Sequence, residues 1–212
     1  MTDKDSLNPR KQPSQPRSRN TVAVILEAAA QVFSSSGYAG ATTNHIAERA
    51  GVSIGSLYQY FPNKNAILLK LAEQHTREGL DFLDRIVRDV GPSACLDGPL
   101  IRRIIEAMIA FHKRDPELHR ISLEELPIFK HIANGAAEVE EIGAGFIETL
   151  LRNTKRVRKQ NLKMAARLFV QTVDWLSHRY ILYETDVVEE DVFISELTDM
   201  MARYLLADPK TD

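Results

Sequence analysis

The segment AGVSIGSLYQYFPNKNAIL, from Ala50 to Leu68, constrains the fold of this chain more than any other. Gly51 is suited to end one helix, and Ser53 is suited to cap the next. That next helix has to stop at Phe61, because a residue before a proline is pushed out of helical geometry. Asn63 then caps a further helix. The segment therefore predicts a very short helix between two others.

The rest of the chain shows the spacing of three and four residues between apolar side chains that is typical of amphipathic helices. In the first such stretch the apolar residues are Val22, Ile25, Leu26, Ala29 and Phe33. Helical patterns also cover residues 63–90, 100–113, 136–151, 161–183 and 191–206, with breaks at Gly91-Pro92, Asp115-Pro116 and Pro127. We find no strand-like alternation of any length in the sequence. We therefore predict an all-α fold with about nine helices.

Composition indicates a globular chain with one large or two small domains. It has 212 residues, of which 44% are hydrophobic and 26% are charged. Residues 1–64 contain seven Lys and Arg against four Asp and Glu, a net charge of +3, and the other 148 contain 20 against 25, a net charge of −5. A basic end on an acidic body favours a polyanionic partner at that end.

Composition also divides the chain. Residues 1–20 are rich in Pro, Ser, Asn, Gln and charge, which predicts a disordered basic tail. A small helical head follows at residues 21–66 and a larger helical domain at 67–212. No apolar run approaches the length of a membrane span, and no apolar signal segment stands at the N-terminus, so we expect no membrane partner. Cys95, the single cysteine, cannot form an internal disulfide, which fits a reducing cytoplasm.

Gly51-Val52-Ser53-Ile54-Gly55 spells G-x-S-x-G, the pattern of a hydrolase nucleophile elbow. That elbow needs a strand before the serine, whereas NHIAERAG, which precedes Ser53, has a helical pattern. The serine is better explained as a helix N-cap. An all-α enzyme that uses Ser53 or Cys95 is the disfavoured alternative, because no base or oxyanion partner stands at a telling spacing. We predict that the chain is not an enzyme.

Two helices joined by a tight turn at Gly51, the second of them short, make a helix-turn-helix. The positions expected to face the core of the head are Val52, Leu57 and Phe61, opposite Ile46 and Phe33. The positions left facing outward are Ile54, Gly55, Ser56 and Gln59, flanked by Tyr58 and Tyr60. They suit a recognition helix whose N-terminal residues face base edges in the major groove.

The segment TTNHIAERAGVSIGSLYQYFPNKNAIL, which starts at Thr42, resembles the signature of the TetR (tetracycline-repressor) family of bacterial transcriptional regulators. The matching positions are Thr42, Thr43, Ile46, Ala47, Ala50, Gly51, Val52, Ser53, Gly55, Leu57, Tyr58, Tyr60, Phe61, Lys64 and Leu68. The preceding ILEAAAQVFSSSGYAGAT resembles the first helix of that family, so the resemblance covers about residues 20–70. Asn65 stands where the family often has an acid, which costs a dipole interaction in the first turn of a helix.

The resemblance implies that the head binds a double-stranded DNA operator and needs no cofactor. Residues matching Tyr58 and Tyr60 present their hydroxyls to DNA phosphates in that family, and Lys64 adds a charge to the contact. The alternative for either tyrosine, and above all for Tyr60, is packing inside the head. Arg17 and Arg19 could reach the neighbouring minor groove or be solvated.

Base-reading contacts are implied around the turn. Thr43 and Asn44 resemble positions that touch phosphate and base, and Asn44 could pair with adenine. Ser53, Ser56 and Gln59 complete the implied contact set. Ile54 could meet a thymine methyl group, and Gly55 would let the backbone approach closely.

The resemblance also implies a homodimer, paired through the last two helices as a four-helix bundle. Candidates for the seam are Leu168, Thr172, Trp175, Phe193, Leu197, Met200 and Tyr204, with intrachain core as the alternative for each. One head reads only a short half-site, so a symmetric pair would bridge two half-sites at a fixed spacing.

The middle helices are implied to enclose a small-molecule effector. Candidates for lining the cavity are Met108, Phe111, Phe129, Phe146, Phe169 and Trp175, with His112, Glu124, Glu125 or His178 as polar anchors. The alternative is a ligand-independent DNA-binding dimer with a filled body. The six histidines lack ligand spacing in the sequence, so no metal site is expected. The basic run RNTKRVRKQ, from Arg152 to Gln160, predicts a solvated loop, with a second DNA contact as the alternative.

We therefore expect a cytoplasmic, sequence-specific repressor that leaves a palindromic operator when its effector binds.

Overall fold

The computed structural model describes residues 16–114, Pro116, Arg120, 129–158 and 161–207. The predicted all-α fold is confirmed. The described ranges contain eight helices: α1 (Pro16–Gly40), α2 (Thr43–Arg49), α3 (Ile54–Tyr60), α4 (Lys64–Val90), α5 (Gly98–His112), α6 (Phe129–Asn153), α7 (Leu162–Tyr183) and α8 (Glu190–Leu205). Their one strand-like pairing is an isolated bridge between Val157 and Leu206. The predicted break at Pro127 lies outside the described residues.

Two helices begin earlier than the sequence predicts. α1 starts at Pro16, so residues 16–20 extend a helix that we expected to follow a tail ending at Asn20. A proline is tolerated in the first turn, and each further residue adds one backbone hydrogen bond. Residues 1–15 of the expected tail lie outside the described residues. α6 starts at Phe129 instead of residue 136 and runs through Gly135, where an added Cβ would lie 2.9 Å from Thr76 Cγ2. A larger residue at position 135 would clash with Thr76, so the packing explains why glycine is tolerated inside this helix.

The described residues divide into two compact units, and the division falls within α4. Unit 1 is formed by the residues up to Arg77 and by a second segment of the chain that ends at Gly135. Glu78–Pro116 and the chain from Ala136 onward form unit 2. The sequence predicts that the head ends at residue 66, whereas the first turns of α4 bury Ile67 and Leu68 in the core of unit 1.

The core of unit 1 forms where α1, α2, α3 and the start of α4 pack together. Its large, fully buried side chains are Phe33, Phe61, Ile25, Ile46, Leu57, Ile67 and Leu68, with Val52 packed at the edge. The five core positions expected around the turn are therefore found there. Helical geometry breaks at Gly37 (φ 64°, ψ 170°), inside the range of α1.

In unit 2, α5 packs against α7 and α8. The central buried residues are Leu96, Ile101, Ile105, Ile109, Leu150, Phe169, Val173, Leu197 and Leu205. Arg102 of α5 donates to Ser195 Oγ of α8 at 3.0 Å and pairs with Asp191. The loop after α6 is tied to the end of α8, because the amide of Arg158 donates to the carbonyl of Leu205 at 3.1 Å.

α1 is long and apolar enough to cross a membrane, judged by length and composition alone. This corrects the expectation that no stretch approaches that length. Its apolar side chains Ile25, Leu26 and Phe33 are buried in the core of unit 1. A helix that packs in a protein core can be as apolar as one that crosses a membrane. Packing inside unit 1 therefore accounts for the hydropathy of α1.

The turn between α2 and α3 depends on Gly51, whose φ is 64°. The amides of Ala50, Gly51 and Val52 donate to carbonyls of α2 at 2.9–3.1 Å, which closes the turn. An added Cβ at Gly51 would meet nothing within 4 Å. Glycine is therefore required here because of its positive φ, and not because a side chain would clash with neighbouring residues.

Replacing Gly51 by alanine should lower the free energy of unfolding of unit 1 by about 1–2 kcal/mol, because an L-residue is strained at this positive φ. The matched control is Gly40→Ala, since an added Cβ there makes only an ordinary 3.5 Å contact with Ser36 Cβ. The control should change stability by no more than about 0.5 kcal/mol. Native-state hydrogen exchange of the buried α1 amides measures both. Equal effects would contradict the conformational explanation.

Candidate nucleic-acid interface

Side-chain caps set where the two helices of the turn begin. Thr42 Oγ1 accepts the amide of His45 at 3.2 Å and caps α2. Ser53 Oγ accepts the amide of Ser56 at 3.0 Å and lies 2.8 Å from the Ser56 hydroxyl, so it caps α3. The predicted capping role of Ser53 is confirmed, and a helix, α2, precedes it where a nucleophile elbow needs a strand.

One face of α3 is exposed. Ile54 is 38% exposed and Tyr58 is 40% exposed. The other exposed members of the predicted contact set are Asn44, Ser53, Gly55 and Gln59, and the half-buried ones are Thr43 and Ser56. The predicted contact residues of α3 other than Tyr60 are therefore accessible from outside the head.

Thr43 and Tyr58 join α2 to α3 at this surface. Their hydroxyl oxygens lie 3.0 Å apart, and either can be the donor. A pair of hydroxyls has two protons, so one bonds within the pair and the other is available to an outside acceptor. Two hydroxyls held on two helices suit a phosphate oxygen.

Gly55 leaves an opening in this surface. A Cβ added there would meet only Ser53 Oγ, at 3.8 Å, which is an ordinary contact. Its φ is not positive, and it lies in the first turn of α3. Neither the packing nor the backbone of unit 1 therefore requires glycine at this position. A close approach by an external molecule would require it.

Tyr60 does not share this surface. It is 8% exposed and belongs to the core of unit 1 with Leu57 and Phe61. The predicted phosphate contact of Tyr60 is therefore corrected to the alternative, packing inside the head. The burial of Tyr60 could have been predicted from the sequence, because Tyr60 follows Leu57 by three residues and so shares its helix face. Tyr58 lies on the side of the helix nearly opposite Tyr60.

Lys64 is held within unit 1 as well. Its Nζ donates to the carbonyls of Tyr38 at 2.8 Å and Ala41 at 3.2 Å, and it lies 4.2 Å from the centre of the Tyr38 ring. The Tyr38 hydroxyl donates to Asn65 Oδ1. The ammonium group of Lys64 therefore ties the start of α4 to the end of α1, and its predicted phosphate contact stays a prediction.

Basic side chains near the surface come from α1 and α2. Arg17 and Arg19 are exposed near the start of α1. Arg49 ends α2 and donates through Nε to Gln31 Oε1 at 2.7 Å. Unit 1 thus carries exposed positive charge at Arg17, Arg19 and Arg49.

The residues predicted to line an effector cavity do not form one group. Phe111 and His112 are buried near the end of α5, and Phe82 stacks on Phe111 with ring centres 4.9 Å apart. Phe169 is 1% exposed in the core, and Trp175 is 58% exposed, so the two side chains have different surroundings. Both stand on α7, but on different faces. Met108 and Phe146 are half-buried against the core. Glu124, Glu125 and the side chain of Phe129 lie outside the described residues.

His112 and His178 do meet, with Asp174 between them. His112 Nε2 lies 3.4 Å from Asp174 Oδ1, and His178 Nδ1 lies 3.5 Å from Asp174 Oδ2. Burial would raise the pKa of Asp174, but hydrogen bonds and charge from both histidines hold it well below its usual range. Burial lowers the pKa of His112 below its ordinary value. The cluster therefore favours an ionised carboxylate beside a neutral imidazole.

Six of the seven candidates for a dimer seam fall into two groups, and the seventh, Thr172, is half-buried. Leu168, Trp175 and Met200 are exposed. Leu197 is buried in the core of unit 2, and Phe193 and Tyr204 pack against it, so intrachain packing accounts for these three. Met164, also exposed, was missed by the sequence analysis and shares a helix face with Leu168 and Trp175.

Comparison with known proteins gives matches over most of the chain. Residues 25–71 match the family model described as bacterial regulatory proteins, tetR family. Residues 99–205 match the model of a tetracyclin repressor-like C-terminal domain. The two matched ranges contain the surface on α3 and the cluster in unit 2, respectively.

Among curated proteins, the HTH-type transcriptional regulator YvkB of Bacillus subtilis is 29% identical over 120 residues, which is 57% of this chain and 60% of that protein. The HTH-type transcriptional activator FasR of Mycolicibacterium smegmatis is 33% identical over 100 residues, 47% of this chain and 44% of that protein. The chain therefore spans less than two thirds of either relative.

Among solved structures, a bacterial regulatory protein of the tetR family from Rhodococcus has a TM-score of 0.68 at 18% identity, over 89% of this chain and 98% of its own. The regulator FadR of Bacillus subtilis, in complex with stearoyl-CoA, has a TM-score of 0.66 at 18% identity, over 86% and 98%. At this identity the likeness establishes the fold.

Replacing Lys64 by methionine should lower the free energy of unfolding of unit 1 by about 1.5–3 kcal/mol, because two carbonyls lose a charged donor. The control is Lys70→Met, which removes only a partly exposed ion pair with Glu73 at 2.7 Å and should cost at most about 1 kcal/mol. Hydrogen exchange of the buried α1 amides measures both. A Lys64 variant as stable as the control would contradict the internal role.

Proposed function

This chain belongs to the TetR family of bacterial regulatory proteins, and on that premise we propose that it is a cytoplasmic repressor that binds a palindromic operator as a homodimer. Members of this family are DNA-binding transcriptional regulators and not enzymes, so Ser53 caps a helix and is no nucleophile. The observation that carries the proposal is the exposed face of α3, with Ile54 and Tyr58 outward and an opening at Gly55.

In the proposed complex, α3 lies in the major groove with its N-terminal residues towards the bases. Ile54 contacts a thymine methyl group and Gln59 reaches a base edge. Thr43 and Tyr58 donate to phosphate oxygens and fix the register without reading sequence. Asn44, exposed at the start of α2, supplies a further polar contact.

Tyr60 and Lys64 act indirectly in this proposal. Tyr60 is packed under α3, and Lys64 holds the start of α4 against the end of α1. Both therefore stabilise the fold that presents the surface. The phosphate charge has to be neutralised by other basic groups, for which Arg17 and Arg19 are the exposed candidates.

The homodimer is supported by an apolar stripe on α7. Met164, Leu168 and Trp175 are exposed at spacings that place them on one helix face, and α8 adds Met200. A contiguous exposed apolar surface on a globular protein usually marks an interface. In a two-fold dimer the same stripe would meet its own copy.

The effector is proposed to bind in unit 2, the part that matches the C-terminal domain model. The stacked rings of Phe82 and Phe111, together with His112 and His178, offer apolar area beside polar groups. α4 contributes to the cores of both units, so we propose that effector binding shifts α4 and changes the spacing of the two heads. The effector must bind the state that is off DNA more tightly, because otherwise it shifts nothing.

Repression is the proposed direction of regulation. The relative FasR is described as an activator, so the direction requires its own test. A reporter placed behind the operator should be expressed more strongly when the gene for this chain is deleted. Weaker expression after deletion would make the protein an activator and leave the DNA-binding proposal intact.

Selection of bound fragments from random DNA is the test of the operator proposal, and we expect a palindromic consensus. Gly55→Ala should weaken binding to that consensus at least about tenfold, or about 1.4 kcal/mol, because a methyl group enters the closest approach of protein and DNA. The variant should also be as stable as the parent or more stable, since alanine is the better helix former.

The matched control is Gly145→Ala, in the exposed part of α6 where an added Cβ meets nothing within 4 Å. It should keep full affinity. No enriched sequence at any salt concentration would overturn the proposed function. An unchanged affinity for Gly55→Ala would place the closest approach to DNA elsewhere on the head.

Leu168→Glu should convert the proposed dimer into a monomer at micromolar concentration, because it places a charge in an apolar seam. The control is Val187→Glu, at an 80% exposed position in the turn after α7, which should leave the dimer intact. Sedimentation equilibrium measures the mass of each variant. A Leu168→Glu variant that is as dimeric as the parent would exclude this face as the seam.

A further inference from the structure

His112, Asp174 and His178 bring three metal-ligating side chains together in unit 2. One ligand atom of each lies within 4.8 Å of the others. His112 comes from the end of α5, and the other two stand one turn apart on α7. Residues four apart on a helix project from the same face, so α7 offers an aspartate and a histidine to one point.

We propose that these three side chains form a binding site for one divalent first-row transition-metal ion of the zinc class. Two imidazoles and one carboxylate are a ligand set that such ions favour. The remaining coordination positions would belong to water or to a small ligand. None of the three residues belongs to the proposed DNA contact, so the metal-site proposal does not depend on the operator proposal.

The hydrogen bonds of the cluster suit metal binding. His178 Nδ1 lies 2.9 Å from the backbone carbonyl of Asp174. A carbonyl can only accept, so Nδ1 donates the proton of this bond, and Nε2 is the ring nitrogen left to bind a metal ion. Ligand histidines commonly donate their other N–H to a carbonyl in this way, which fixes the tautomer and the ring orientation.

The local burial is also suitable. His112 is 3% exposed, which protects one side of the site, whereas the Asp174 side chain is 45% exposed and leaves a path for an ion. The rings of His112 and His178 have centres 3.9 Å apart. Two ligand atoms of a tetrahedral zinc ion lie about 3.4 Å apart, so rotation of these side chains would have to shorten the widest separation, which is at most 4.8 Å, to close the site around the ion.

The simpler explanation is a structural network in which the carboxylate satisfies two histidines. The two explanations differ in what added metal does. A structural network leaves the ion in solution, whereas three converging ligands bind it and release it when one ligand is removed. The ligand-removal variants therefore decide between them.

The test uses the purified full chain and the metal alone. Zn²⁺ is titrated in competition with a chromophoric chelator, and Co²⁺ binding is followed by visible absorption. We expect one ion per chain. His112→Gln, Asp174→Asn and His178→Gln should each weaken Zn²⁺ binding by more than about 100-fold, beyond the 10–100-fold loss typical of groups that only support a ligand.

The matched controls are His45→Gln, an exposed histidine of α2, and Asp199→Asn, an exposed aspartate of α8. Both should bind Zn²⁺ as the parent does. Circular dichroism without metal shows whether each variant is folded. Binding that is absent in the parent, or that is equal in all variants, would overturn the proposal.

X-ray absorption of the zinc-loaded parent keeps the proposal falsifiable even if the three variants fail to fold. We expect the multiple-scattering signal of two imidazole ligands with light-atom neighbours. A sulfur neighbour would place the ion at Cys95, which is exposed and lies 3.2 Å from the carbonyl of Asn153, and would overturn the assignment. Operator affinity is measured separately, so failure of the metal site and failure of DNA binding are distinguished.

Discussion

The burial of one side of α3 is the constraint on which the recognition surface depends. A helix of this length is not stable alone in water, since isolated helices need about 12–15 residues even for good helix formers. α3 forms because Leu57 and Phe61 are buried against α1 and α2 and because Ser53 caps its start. With that side inward, Tyr58 points away from the core, and Ile54, the first residue of the helix, stays partly exposed beside it. The turn at Gly51 directs the helix into this position, and an L-residue there would be strained.

The same core decides which of two neighbouring tyrosines can reach a partner. Tyr58 and Tyr60 both match the family pattern, and a resemblance transfers the same role to each. Residues two apart on a helix point to nearly opposite sides, so only one of them can share the exposed face. Lys64 is a comparable case. Its long side chain could reach outward, but two carbonyls at the end of α1 lie within reach and hold it. Both residues therefore contribute to the surface through the stability of the head.

The second unit shows a different dependence on tertiary structure. Asp174 and His178 stand four residues apart, a spacing visible in the sequence, but His112 is on another helix and joins them only when α5 packs against α7. Histidines that look scattered along a chain can thus share one site. Trp175, next to Asp174 in sequence, points to another face of α7 and is exposed, which suits an interface better than a cavity. Neighbouring residues of α7 therefore lie in three different surroundings: the core, the polar cluster and the surface.

The amino-acid sequence was enough to predict the helical fold, the turn around Gly51, the caps at Ser53 and Asn63 and the buried residues around Leu57. These depend on local periodicity, on backbone preference and on proline geometry, all of which act over a few residues. The packing of the helices was needed to show that Lys64 is bonded internally, that Phe169 is core and that His112 joins Asp174 and His178. Those outcomes depend on which helix faces meet, and side chains far apart in sequence compete for the same space and the same acceptors. No pattern within one helix contains that information.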